Sequence, residues 1–225
     1  MWNRAPFKNR RDAGRKLSAR LSADVDGPIV VIGLPRGGVV VGFEVARALN
    51  APLEVVVALK IPAPAQPELA IGAVAEGGIG LIDDDAVRQI GLSPAEVEDA
   101  TAGARKDMNR RLQEYRGNDA LPDLRGKTAI LVDDGLATGL TSCAAVRAVR
   151  GTNPDAIVLA VPVCAQKSSE RLLEEFDRVV CLERPPRLIA VSIWYRQFDQ
   201  TTDAEVIELL EEARNAVSPK EISET

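Results

Sequence analysis

The chain has 225 residues, 46% of them apolar and 27% charged, and its 28 Lys and Arg against 33 Asp and Glu leave a net charge of −5. This is ordinary globular composition, long enough for one domain with a full core, and its negative balance gives bulk electrostatics no reason to favour nucleic acid. With no histidine, Ser-His-Asp catalysis, His-ligated zinc and a histidine general base are excluded.

The N-terminal MWNRAPFKNRR has no apolar h-region and does not read as a secretory leader, and no apolar run is long enough to span a bilayer. Cys143, Cys164 and Cys181 are odd in number and widely spaced, which suits free thiols in a reducing cytoplasm. Over residues 4–21, Arg4, Lys8, Arg10, Arg11, Arg15, Lys16 and Arg20 face a single Asp12, while Ala13, Leu17 and Leu21 recur at i, i+4 and i+8. The spacing predicts a short amphipathic helix. Its basic side suits a polyanion, but without interleaved aromatics it reads as a solvated face.

Ile29 to Leu34 predicts a buried strand that runs into Pro35-Arg36-Gly37-Gly38 and then a helix from about Val39 to Leu49. A strand, a glycine turn and a helix N-terminus make an anion site, here with an arginine in the loop; the alternative is a tight turn that merely needs glycine. Leu53 to Leu59 predicts the next strand, ending at Lys60. Pro62 to Pro67 predicts a turn, and Gly72 to Ile82 a hairpin with Gly77-Gly78 at its tip. Ser93-Pro94-Ala95-Glu96 is a capping box with proline at the first helical position, opening a helix to about Tyr115 with Met108, Leu112 and Tyr115 on one face.

The richest stretch is AILVDDGLATGLT, residues 129–141. Ala129 to Val132 suits a fully buried parallel strand. Asp133 and Asp134 stand at its C-terminal end. Gly135, Leu136, Ala137, Thr138, Gly139, Leu140 and Thr141 form a turn of glycines and hydroxyls, before a helix over Ser142 to Arg150. Unpaired helix N–H groups and the helix dipole make the turn a phosphate site, Gly139 allows close backbone approach, and Thr138 and Thr141 add donors. Two carboxylates would repel that phosphate directly, but they suit the hydroxyls of an attached sugar or a magnesium ion nearby. The order therefore suggests a sugar phosphate.

Ala156 to Val161 and Arg178 to Cys181 predict further strands, with a helix over Ser168 to Phe176 between them. Ile189 to Ile193 leads into the aromatic WYRQF, and Thr202-Asp203-Ala204-Glu205 caps a last helix that turns Val206, Leu209, Leu210 and Ala213 inward. Buried strands alternating with helices predict an α/β fold with a mainly parallel, doubly wound sheet. Arg36, Lys60 and residues 133–141 all fall at strand C-termini, where such sheets bind ligands.

VDDGLATGLT resembles the phosphoribosyl-pyrophosphate (PRPP) motif of the type I phosphoribosyltransferases, and FKNRRDAGRKL, GLPRGGVVVGFEVA, PELAIGAVAEGG and WYRQFDQTTDAEV extend the resemblance to a bacterial branch of that family. The resemblance implies a single domain over 1–217, a flexible-loop and helical insertion at about 72–118, a small hood from 1–25 and 183–203, and a disordered tail over 218–225. It implies transfer of 5-phosphoribosyl from PRPP to a nitrogen acceptor, a nucleobase or small amine, with release of pyrophosphate. Residues 135–141 would take the 5′-phosphate. Arg36, Gly37, Gly38 and Lys60 would take the pyrophosphate, and Asp133 and Asp134 the ribose, with Mg2+ carried on PRPP near the two acids. Glu76 is the candidate acid or base, otherwise a solvated turn residue. Trp194 is the candidate for stacking on the acceptor, otherwise a core tryptophan. The resemblance is compatible with a cytoplasmic homodimer.

Members acting on 6-oxopurines carry an acid where this chain has Ala137, which disfavours hypoxanthine and guanine and leaves the acceptor open. A PRPP synthetase, which shares the acidic strand end, relies on a histidine that is absent here. Neither G-x-G-x-x-G nor G-x-x-x-x-G-K-[ST] occurs. The main alternative is a non-catalytic regulator that senses PRPP or a nucleotide with the same fold.

Overall fold

Five parallel strands form the central sheet of the computed structural model, in which residues 5–22, 25, 27–117, 120–136, 139–166, 172 and 174–217 are described. They are β1 (Ile29–Gly33), β2 (Leu53–Val55), β6 (Thr128–Val132), β7 (Ala156–Val163) and β8 (Arg178–Glu183), in the order β2-β1-β6-β7-β8. The remaining strands, β3 (Ala58–Ala63), β4 (Gln66–Ala75) and β5 (Ile79–Ile82), make a separate antiparallel sheet. The helices are α1 (Arg10–Leu21), α2 (Gly37–Leu49), α3 (Asp84–Ile90), α4 (Pro94–Arg116), α5 (Leu140–Arg150) and α6 (Asp203–Val217), with a 3-10 turn over Val191–Trp194.

Alternate residues of the parallel strands feed two cores, which is why these strands read as unbroken apolar runs. Val31, Ile130, Val132, Val158 and Ala160 face one way and pack with α1, α2, α4 and α6. Val30, Ile32, Ala129, Leu131, Ile157 and Leu159 face the other way, against α5 and the inner residues Ala58, Ala73 and Ala75 of the antiparallel sheet. The sheet is thus covered on both faces, as expected.

Several expectations are corrected. The run Leu53 to Leu59 is not one strand: it breaks at Val56–Val57, where Glu76 intervenes, its N–H donating to the Val57 carbonyl at 3.1 Å and its Oε1 accepting from the Val57 N–H at 2.9 Å. The excursion from the parallel sheet therefore begins at Ala58, ahead of the expected Gly72. Pro62 and Pro67 lie within strands, leaving only Pro64 and Ala65 as the turn. Helix α3 was not anticipated, although Asp83 caps it and Gly91 ends it at φ +78°. The hairpin at Gly77-Gly78, with both glycines at positive φ, and the capping box at Ser93 are as expected. Cys164 and Cys181, distant in sequence, meet at the ends of β7 and β8, and their mutual hydrogen bond together with burial pushes the Cys181 thiol up. The expected helix over 168–176 lies mostly outside the described residues, and so does the expected tail over 218–225.

Candidate active site

β1 and β6 lie side by side, and Leu34 N–H donates to the Val132 carbonyl at 2.8 Å where they end. From here the chain winds one way through α2 to β2 and the other way through α5 to β7. This is the switch point, where open α/β sheets leave a crevice at the strand C-termini. β1 delivers Pro35-Arg36-Gly37-Gly38, with a cis peptide between Pro35 and Arg36, and β6 delivers Asp133 and Asp134.

The two loops press together. A β-carbon on Gly37 would stand 1.9 Å from Asp134 Oδ2, and one on Gly38 would stand 2.5 Å from the Val132 carbonyl oxygen. Glycine here serves close approach: a side chain on Gly38 would press on the backbone of the other loop, and one on Gly37 would displace the Asp134 and Arg10 side chains. Gly135 is equally confined, beneath Val191, whose Cγ1 a β-carbon would meet at 2.6 Å. Leu136 ties the second loop to the end of β7, its N–H donating to the Val163 carbonyl at 2.9 Å. Gly139 takes φ +78° to begin α5, with Leu140 and Thr141 in the first turn.

The helix starts divide by function. Asn9, Asp83, Ser93 and Thr202 accept from backbone N–H groups and cap α1, α3, α4 and α6. α2 and α5, the two helices that begin at the switch point, carry no side-chain cap. Their first N–H groups and the positive ends of their dipoles are left for an anion. Ser142, in the first turn of α5, is fully buried and its hydroxyl has no partner among the described residues.

The two acids differ. Asp134 Oδ2 receives the Arg10 Nε at 2.7 Å, and the Asp134 carbonyl receives the Tyr195 hydroxyl at 2.6 Å. Asp133 Oδ1 accepts the Asp134 N–H at 2.8 Å, and Asp133 has no ion pair among the described residues. Burial, reinforced by the adjacent Asp134 charge, pushes the Asp133 carboxyl well above the usual carboxylate range. Burial also raises Asp134, while Arg10 opposes the rise. Burial holds the Tyr195 phenol above its ordinary value.

Arg10 was expected on a solvated face. It is instead 12% exposed, stacked with its guanidinium carbon 3.7 Å from the Phe198 ring centroid, and it donates to the Asp199 carbonyl at 2.6 Å. The N-terminal segment and the segment after the 3-10 turn are zipped together here: Phe7 N–H donates to the Trp194 carbonyl at 3.2 Å, and Arg196 N–H to the Phe7 carbonyl at 3.0 Å. Sequence reasoning missed Arg10, Tyr195 and Phe198 as site residues. The only local signal was the aromatic cluster WYRQF.

The other candidates are placed as follows. The Arg36 guanidinium is 28% exposed and lies 3.8 Å from Asp203 at the start of α6. Lys60 is not at a parallel-strand end but inside β3. It is half-exposed, 3.8 Å from Glu68, and lines with Leu140 and Thr141 a cavity of about 520 Å³. Glu76 is a correction to the acid-base expectation. It is buried, Arg116 takes its Oε2 and Val57 N–H its Oε1, so both oxygens are committed within the fold. Trp194 is partly buried against Phe7, Ala13 and Tyr195, and its indole N–H has no partner among the described residues. Ala137 and Thr138 lie outside the described residues. No cluster of three or more metal-ligating side chains occurs among the described residues. No described helix is long and apolar enough to cross a membrane.

The sequence matches the family model "Phosphoribosyl transferase domain" over residues 7–201. It is 44% identical over 208 residues to the Mycobacterium tuberculosis protein named "Putative phosphoribosyl transferase Rv0571c", covering 92% of this chain and 47% of the relative. The chain thus spans about half the length of the curated relatives it matches. The crystal structure of TT1426 from Thermus thermophilus superposes with a TM-score of 0.73 at 39% identity, covering 92% of this chain and 98% of that one. The AQ2163 protein from Aquifex aeolicus shares the fold, with a TM-score of 0.50 at 14% identity over 80% of this chain and 76% of that one. With the glycine turn pressed against the paired aspartates at the switch point, and a family match over most of its length, this chain belongs to the phosphoribosyl transferase domain family.

Proposed function

We propose that this protein transfers 5-phosphoribosyl from PRPP to a nitrogen acceptor, a nucleobase or small amine, and releases pyrophosphate. The observation that carries the reading is the pair of uncapped helices. Among the described residues, α2 and α5 are the α-helices that start without a side-chain cap, and both start where the paired aspartates stand. One uncapped start suits a pyrophosphate and the other a 5′-phosphate, with a carboxylate between them for the ribose.

The 5′-phosphate is remote from the bond that breaks, so its binding at residues 135–141 positions the reacting carbon. Arg36 and the backbone N–H groups at Gly37 and Gly38 would stabilise the leaving pyrophosphate. Lys60, which lines a cavity with Leu140 and Thr141, would add its charge beside the start of α5. A carboxylate beside the ribose offsets positive charge that develops as the glycosidic bond opens. The donor set fits magnesium brought in on the substrate's phosphates, because one or two carboxylates plus phosphate oxygens is its usual coordination. Asp133 and Asp134 are the carboxylates that would hold it, and it would supply positive charge against the negative charge developing on the leaving group.

The commitment of Glu76 to Arg116 favours a second reading, a PRPP or nucleotide sensor without turnover, since it removes the side chain expected to move a proton. Pyrophosphate release from PRPP against a panel of bases and small amines tests both. Turnover with any acceptor supports the transferase, saturable PRPP binding without turnover supports the sensor, and no binding overturns both.

A further inference from the structure

Arg10 stands where four parts of the molecule meet. It projects from the first turn of α1, pairs with Asp134 after β6, stacks on Phe198, and donates to the Asp199 carbonyl. The fourth part is the glycine turn: a β-carbon on Gly37 would lie 2.6 Å from Arg10 Nε as well as 1.9 Å from Asp134 Oδ2. The ion pair is therefore wedged against the loop assigned to the pyrophosphate. It is poorly hydrated, with side chains 12% and 17% exposed.

A carboxylate in that position presents a difficulty. Left bare beside a pyrophosphate in a partly dry cleft, it would repel the ligand that the turn binds. Paired with a guanidinium, it presents no net charge. The pairing also fixes which way the carboxylate points, and the Tyr195 hydroxyl holds the same residue by its carbonyl. Among the described residues Asp133 has none of these restraints beyond its bond to the next N–H.

We propose that Arg10 is a positioning residue that neutralises Asp134 beside the pyrophosphate turn and fixes its direction, leaving Asp133 as the acid that meets the ribose hydroxyls. This rests on the PRPP reading above and divides between the two acids what the motif presents as a pair. Arginine suits the place because one planar group donates to a carboxylate and a carbonyl while its face lies on an aromatic ring. A lysine makes the charge contact alone.

The test is a calorimetric titration of magnesium-PRPP into the wild type and into Arg10→Gln, Arg10→Lys, Asp134→Asn, Asp133→Asn and the double variant Arg10→Gln/Asp134→Asn. Arg10→Gln should weaken binding by about tenfold or more, because it leaves an unpaired carboxylate by the pyrophosphate. Arg10→Lys should fall between it and the wild type. Asp134→Asn should cost less than about threefold, and the double variant should return to the Asp134→Asn value, since neutral Asn needs no counter-charge. Additive losses in the double variant would mean that Arg10 touches the ligand itself, which overturns the proposal. Wild-type affinity in Arg10→Gln overturns it, and so does a loss in Asp134→Asn as large as that in Asp133→Asn, a comparison that stands even if Arg10→Gln fails to fold. No binding by the wild type overturns the PRPP reading, and this role with it. Binding that Arg10→Gln leaves unchanged removes the role alone.

Discussion

Gly38 and Asp133 meet backbone to backbone: a β-carbon on Gly38 would come 2.9 Å from the Asp133 Cα. The neighbouring Gly37 meets only side-chain ends, those of Asp134 and Arg10. Backbone cannot yield locally, whereas side chains can swing aside. Gly38→Ala should therefore cost stability, about 1–3 kcal/mol or a Tm lower by roughly 2–12 °C. Gly37→Ala should keep most of its Tm and lose magnesium-PRPP affinity through disruption of the Arg10–Asp134 pair. Scanning calorimetry and ligand titration on both variants check this, and a larger Tm loss in Gly37→Ala would reverse the assignment.

Asp133 ties stability to pH with a definite sign. Its folded-state pKa is raised by burial and by the Asp134 charge, so between the ordinary and the raised value the native state holds a proton that the unfolded chain releases. Its contribution is most favourable below the ordinary carboxylate value, is lost as pH rises from there to the raised value, and stays lost above. Asp133→Asn removes that loss. The variant should melt higher than the wild type by several degrees at about pH 7.5, with the difference closing below about pH 4, while pyrophosphate release falls about 10²-fold. Equal melting temperatures across the range would show that the carboxylate is not under this strain.

The two anion sites should separate. Among the described residues the Arg36 guanidinium pairs with one carboxylate, Asp203 at 3.8 Å, so Arg36→Ala should leave the fold intact and weaken pyrophosphate binding by about tenfold, with ribose 5-phosphate nearly unaffected. Thr141→Ala at the start of α5 should do the reverse. Titration of each variant with each ligand decides it, and parallel losses of both ligands in both variants would refute the division.

Glu76 should prove structural. Its partner Arg116 is 2% exposed in its side chain and also donates to the Val55 carbonyl at 3.0 Å, so the pair joins α4, the hairpin turn and the end of β2. Glu76→Ala leaves a buried guanidinium unpaired and should cost about 3–5 kcal/mol, lowering Tm by roughly 6 °C or more. The folded fraction at low temperature should keep its PRPP affinity and turnover. A stable variant with lost turnover would restore the acid-base assignment.

What sequence revealed and what it hid follow from the range of each interaction. Caps are local: Ser93 with Glu96 and Thr202 with Glu205 sit three residues apart, and both were legible. The strands were legible because burial on both faces leaves continuous apolar runs, as in β6 and β7. The same feature hid the break in LEVVVALK, where no residue signals that Val57 leaves one sheet for another. Arg10 was illegible because its carboxylate lies 124 residues away, and in a run of seven basic residues nothing marks the one that turns inward. Glu76 looked like a turn residue because its partner lies 40 positions on, at the end of a helix.

The zipper between Phe7 and Arg196 has a consequence for synthesis. Arg10 and the carbonyl it binds at Asp199 are 189 residues apart. Everything between them must leave the ribosome before that contact can close, and long-range closure is the slow class of folding event. Asp134 emerges well before its segment from Tyr195 to Asp199, so a nascent chain carries the paired acids without the tyrosine that clasps one of them. The sheet can assemble first, but the floor of the cleft gains its full set of restraints only when the connection from β8 to α6 has been made.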